Sequence, residues 1–331
     1  MQTTILAAAL AALVALPAQA QLMPNRSGLP WSSGTSNAPI AAFGEWRGRP
    51  LDLYTTFHRK DTWNGINANS KVIPPTTVTP VIGFPMLPES HRGQLRQCAA
   101  GAFDAEITRI RNTLLQHGWK GSWLRLGWEM NRIEGGGTGH AFPWAALTVD
   151  KGYSYTQCFR RWAKILNPWP TRNFVMVWHT GEVGSFPYPI EKLWPGSDVV
   201  QVVATGGYDR CPAVTSDSEW EAVIYRRDKW GNPAGLAGWQ AYARLKGRPF
   251  ALPEWGIGGE NSPCAKPGFD NPFYIHKMFT WMQQNAGTGP GQLVMESYFD
   301  HHDSLGSYAI FDPMDRVNRN AAEAYREMWG G

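Results

Sequence analysis

Short apolar runs, broken at intervals by polar, glycine-rich and proline-rich turns, set the rhythm of this 331-residue chain. Runs of that length suit buried strands, and eight are predicted. They lie near Ile40 to Phe43, Asp52 to Phe57, Thr79 to Phe84, Ser122 to Glu129, Phe174 to His179, Val199 to Tyr208, Phe250 to Glu254 and Leu293 to Tyr298. Between the later runs the apolar period lengthens to three and four. Gly93 to His117 is the clearest helix, with Leu95, Ala99, Phe103, Ile107, Ile110 and Leu114 on one face and Gly118 to close it. Tyr153 to Leu166, Leu236 to Lys246, Asn271 to Asn285 and Asn320 to Trp329 follow the same pattern. Strand and helix alternating to a count of eight predict an α/β protein, a (β/α)8 TIM barrel in one domain over 40–331.

The segments before residue 40 read differently. Ile5 to Leu16 is an apolar core of signal-peptide length, and Ala18-Gln19-Ala20 is a small-residue cleavage pattern. Residues 1–20 are therefore expected to be removed after Ala20, with the mature chain secreted or periplasmic. Residues 21–39, rich in Pro, Ser, Gly and Asn, read as an N-terminal arm. No other apolar run approaches bilayer-spanning length, so no membrane anchor is expected.

Composition narrows the partner. A net charge of +4 with 18% charged residues is too mild for nucleic-acid binding and suits a neutral or weakly acidic partner. Seventeen tryptophans exceed what packing requires, and their flat faces suit sugar rings, so a polysaccharide is the expected partner of a monomer. Four cysteines in an exported chain allow three disulfide connectivities. Cys98 with Cys158 and Cys211 with Cys264 is preferred, because each pair falls on neighbouring barrel elements.

The candidate chemistry sits at strand ends. Trp123 to Asn131 begins as an apolar strand and reaches a carboxylate, Glu129, with Arg125 and Gly127 expected on the same face. A buried Arg125/Glu129 ion pair without function is the plain alternative. Arg248-Pro249-Phe250-Ala251-Leu252-Pro253-Glu254 has the same design, an apolar strand ending on an acid. On the strand count these are the fourth and seventh strands, which face each other across the barrel at its catalytic end. Two carboxylates about 5 Å apart are the equipment of retaining glycoside hydrolysis.

Three ordered motifs carry a resemblance: Arg125 through Glu129-Met130-Asn131, Trp194-Pro195-Gly196 with Asp198-Val199-Val200 leading to Tyr208-Asp209, and Arg248 to Glu254 with Gly256. From about Thr79 to Tyr298 the chain resembles glycoside hydrolase family 26 of clan A, the β-mannanase-like endoglycanases. The resemblance implies Glu129 as acid/base and Glu254 as nucleophile, with Arg125, Tyr208 and Asn131 in support. One departure stands out, since the family usually has His before the acid/base and this chain has Trp128. That leaves β-mannan and a bacterial exopolysaccharide both open as substrates.

Further sugar contacts are expected from Trp128, Trp144, Trp178, His179, Trp255, Glu296 and Tyr298. Gly135 to His140 lacks the lysine and the strand-to-helix setting of a phosphate loop and reads as a loop bordering the cleft. His301-His302-Asp303 is too compact to enclose an ion by itself. No metal and no cofactor is expected. A carbohydrate-binding barrel without activity, or a lyase, remains the alternative.

Overall fold

The computed structural model describes residues 23–132, 141–181, 186–209, 211–261, 265–303, 306–311 and 317–331. Eight parallel strands close into one barrel in sequence order, each hydrogen-bonded to the next and the last to the first. They are β1 (Ser32–Ser36), β2 (Leu53–Phe57), β3 (Thr79–Phe84), β4 (Trp123–Leu126), β5 (Val175–Thr180), β6 (Val202–Asp209), β7 (Phe250–Ile257) and β8 (Leu293–Phe299). Helices α1 (Ile40–Arg47), α2 (Trp63–Asn69), α3 (Leu95–Ala100), α4 (Asp104–Gln116), α5 (Val149–Leu166), α6 (Asp217–Ile224), α7 (Leu236–Leu245), α8 (Pro272–Asn285) and α9 (Arg319–Trp329) surround it. The predicted (β/α)8 barrel is the observed fold.

Side-chain alternation builds two cores. Leu53, Val81, Trp123, Val177, Val202, Ala251 and Met295 fill the barrel, with Met23 joining them. The opposite strand faces pack under the helices. In α5, Tyr155, Phe159, Trp162 and Leu166 bury one stripe, and the Thr148 side chain caps the helix by accepting from the Lys151 N–H. The expected helix from Gly93 to His117 is two helices, because Gly101 takes the left-handed conformation (φ +96°) that closes α3.

The first strand is a correction. Ile40 to Phe43 opens α1, and β1 comes from Ser32–Ser36, inside the stretch expected to be an arm. Its polar side chains are satisfied internally, with the Ser33 hydroxyl donating to Glu296 and Thr35 to the Tyr298 carbonyl. Gly34 is required there, since a Cβ would lie 2.2 Å from the Leu53 carbonyl oxygen.

The expected bridge between Cys98 and Cys158 joins α3 to α5, with Cα atoms 5.3 Å apart. The second, Cys211 with Cys264, involves residue 264 and lies outside the described residues, as do residues 1–20 and Gly135 to His140. Among the described residues no helix is long and apolar enough to cross a membrane.

Asp300, just past β8, accepts the backbone N–H groups of Ile310 (2.8 Å) and Phe311 (3.0 Å). Burial pushes its carboxyl up to about 6. A carboxyl whose folded pKa lies above its unfolded one favours the fold when protonated, so this contribution is present at acid pH. It is lost as pH rises from about 4 through about 6. Asp300→Asn should therefore flatten the stability profile across that window, measured by urea denaturation at a series of pH values. An unchanged slope would show that Asp300 is not the responsible group.

Candidate active site

Backbone geometry places the two glutamates. β4 ends at Leu126 because Gly127 (φ +56°) and Glu129 (φ +49°) both turn left-handed. A glutamate in that region is uncommon, and such strained positions cluster at functional sites. Glu129 is thus presented by a turn beyond the strand, and the expected strand up to Glu129 is too long by three residues. Its backbone N–H donates to the His179 carbonyl at 2.9 Å. Two residues later Asn131 fastens the turn to the end of β5, donating to the Gly181 carbonyl (2.9 Å) and accepting from its N–H (2.7 Å).

Glu254 is aimed by a different device. The pairing of β7 with β8 slips between Leu252 and Trp255. Leu252 and Trp255 both pack into the outer core although they are three residues apart. The intervening irregularity frees Glu254 to turn to the barrel mouth, the re-aiming that β-bulges perform beside active sites. A second register shift, between Ala204 and Gly206 of β6, precedes Tyr208.

Both carboxylates line one pocket of about 490 Å³ at the C-terminal ends of the strands, with Trp128, Phe57 and Phe299 among its walls. Each glutamate is all but buried and has its own arginine. Arg125, wholly buried, donates Nη2 to Glu254 Oε1, while the Tyr208 hydroxyl donates to Oε2 at 3.3 Å. Both oxygens of Glu254 are acceptors, the role an ionised carboxylate fills. Arg132 Nη1 donates to Glu129 Oε2 at 2.9 Å. The bland alternative is thereby corrected: the buried partner of Arg125 is Glu254, and Glu129 pairs with Arg132.

Beneath them the charges are ordered by burial. It pulls the Arg125 guanidinium down to about 10, against the attraction of Glu129 and Tyr208, so Arg125 stays cationic at neutral pH. Burial, then the charge of Arg125, holds His179 well below its usual value. The imidazole is therefore neutral, and its Nδ1 accepts from Arg125 Nε at 3.2 Å. Phe57 lies 5.2 Å from the Arg125 guanidinium carbon on the other side.

Of the expected sugar contacts, Trp128 lines the pocket, packed on Trp144, Phe142 and Phe57 with centroids 4.7, 5.3 and 5.9 Å away. Trp144 is fully buried and supports Trp128 from behind, donating Nε1 to its carbonyl at 2.8 Å. His179 is likewise buried, in its role under Arg125. Trp178, Trp255, Glu296 and Tyr298 do not reach the pocket, because their alternation points them outward. Trp178 packs on Trp194, Trp239 and Tyr242. Trp255 stacks on Trp329 of α9, and Tyr298 stands edge-on to Trp255. Glu296 accepts from Trp255, from Trp329 (3.0 Å) and from Ser33. Trp255, Glu296 and Tyr298 tie α9 to the barrel, while Trp178 packs under α7.

Sequence reasoning missed Arg132, Lys60, Phe57, Phe142 and Phe299, all on the pocket wall. A usable signal existed for several of them. Phe57 and Phe299 end β2 and β8, and Arg132 follows Glu129 by three residues, the offset at which a turn brings side chains together.

No protein-family model matches the sequence, and no curated protein matches it. Solved structures do. A modular endo-β-1,4-mannanase of glycoside hydrolase family 26 from Cellulomonas fimi is 15% identical, covering 90% of this chain and 71% of that one, with a TM-score of 0.56. A mannanase from Bacillus subtilis is 14% identical over 92% of this chain and 86% of that one, TM-score 0.55. A family 26 β-mannanase from Bacteroides ovatus is 12% identical over 90% and 88%, TM-score 0.53. At these identities the likeness establishes the fold, a (β/α)8 barrel of the kind that family 26 glycoside hydrolases adopt.

Proposed function

We propose that this chain is a retaining, endo-acting glycoside hydrolase that cleaves internal β-glycosidic bonds of a polysaccharide outside the cytoplasm. The observation that carries the reading is the pair of glutamates from the ends of β4 and β7 in one pocket, each with its own arginine. Glu254 attacks the anomeric carbon while Glu129 gives its proton to the departing glycosidic oxygen, leaving a glycosyl ester on Glu254. Glu129 then takes a proton from water, whose oxygen displaces the Glu254 carboxylate from the opposite side. Two inversions give net retention. Arg125 and Tyr208 orient Glu254, and Asn131 holds the turn that carries Glu129. The names of the neighbouring structures make a β-mannan-type backbone the first substrate to try. Export is supported by the signal-like first twenty residues and by the disulfide between Cys98 and Cys158.

The test is to incubate the protein, beginning at Gln21, with mannans, glucans, xylans and bacterial exopolysaccharides while proton NMR follows the anomeric signals. Oligosaccharides whose first-formed reducing ends are β are expected. First-formed α ends would exclude the double displacement. Glycan retained on an affinity gel with no new ends would favour a binding barrel.

A further inference from the structure

The charged groups of the cleft are distributed unequally along it. In the glutamate pocket each acid is matched by an arginine, and the Phe142 ring forms part of the wall. Phe142 also forms the wall of a second pocket, of about 500 Å³, so the two adjoin across its ring. That second pocket is walled by the segment after β3 and the start of α5, on the same end of the barrel as the glutamates. Arg92, Arg96 and Lys151 line it, against one acid, Asp150. Arg92 is paired with Glu89, whereas Arg96 and Lys151 are exposed and have no ion-pair partner among the described residues.

Like charges gathered on one wall repel each other, and a concave wall of one sign concentrates ligands of the other. A neutral glycan offers these groups only hydroxyls. A carboxylate offers the guanidinium fork of Arg96 two parallel acceptors and the Lys151 ammonium a counter-charge. From this we infer that the substrate is an acidic glycan, with carboxylate-bearing sugars seated beyond Phe142 from the two glutamates. The inference rests on the hydrolase reading only for where the scissile bond lies. It accounts for two exposed cations, Arg96 and Lys151, on one wall of the second pocket.

Two hexasaccharides that differ only at C6 test it: β-1,4-linked mannuronate, with a carboxylate, and β-1,4-linked mannose, with a hydroxymethyl group. Binding of each to the wild-type protein is measured by titration calorimetry, so that no charge is removed from the glutamate pair. At low salt the acidic hexamer should bind about tenfold more tightly, from two or three partly exposed contacts. The preference should shrink toward parity at about 0.5 M salt. In Arg96→Gln/Lys151→Gln the ratio of the two affinities should fall most of the way to one. Equal affinities, a preference for the neutral hexamer, or a preference that survives the double substitution would each overturn the inference. Reducing ends are read from the same samples. Cleavage of neutral mannan with no acidic preference counts against the acidic substrate alone, and preference without cleavage of any glycan counts against the hydrolase alone.

Discussion

Glu254→Gln should lower kcat by at least about a thousandfold while leaving the barrel folded. The amide keeps the shape of the carboxylate, and its oxygen can still accept from Arg125 or from Tyr208, but it is far too weak a nucleophile to form the glycosyl ester. A rate loss of this size alone fits any essential residue, so the chemistry is asked directly with Glu254→Ala and azide. The shortened side chain leaves room beside the anomeric carbon. There azide forms the C–N bond while Glu129 protonates the leaving oxygen, and the product is an α-glycosyl azide from a β-linked substrate. One displacement replaces two, so configuration inverts. Glu129→Gln behaves differently under the same mechanism. It should be least impaired on aryl glycosides whose leaving groups need no proton. Near-wild-type hydrolysis of polysaccharide by Glu254→Gln would remove Glu254 from the mechanism.

What could be read in the sequence follows from which features have a local signature. The later strands and helices announce themselves because Val, Ile, Leu and Trp recur at periods of two or of about 3.6, and the pattern marks β3 with its observed ends. β1 has no such signature. Ser32–Ser36 is polar throughout yet wholly buried, and its hydroxyls are answered by groups more than 250 residues away in sequence. Ile40 to Phe43, more apolar and nearby, carries the stronger strand pattern but opens α1.

The site shows the same division. Glu129, Glu254, Arg125 and Tyr208 were legible as acids, a base and a phenol at strand ends, and the structure brings them together at one pocket. Their exact aim was not legible, since it depends on two left-handed residues after β4 and a register slip in β7. The same slip resets the alternation of β7 and so moves Trp255 out of the cleft. Trp255 follows Glu254 directly, yet it belongs to the helix layer.

Arg125→Met should be the most destabilising of the single substitutions in the pocket, by about 3 to 5 kcal/mol in urea denaturation. The methionine fills part of the volume and keeps the contact with Phe57, but Glu254 is left almost wholly buried without its cation, and His179 Nδ1 loses its donor. Removing both charges separates this cost from packing. In Arg125→Met/Glu254→Gln no uncompensated carboxylate remains, so the double variant should be more stable than Arg125→Met alone by at least about 1 kcal/mol. Activity should move the other way. Arg125→Met retains a nucleophile, poorly oriented and with its charge no longer offset, and keeps a trace of turnover, whereas the double variant keeps none. If Arg125→Met proves as stable as the wild type, the ion pair is not holding the mouth of the barrel together. Glu254 would then have to be kept in place by Tyr208 and the β7 backbone, and Tyr208→Phe becomes the substitution on which its orientation depends.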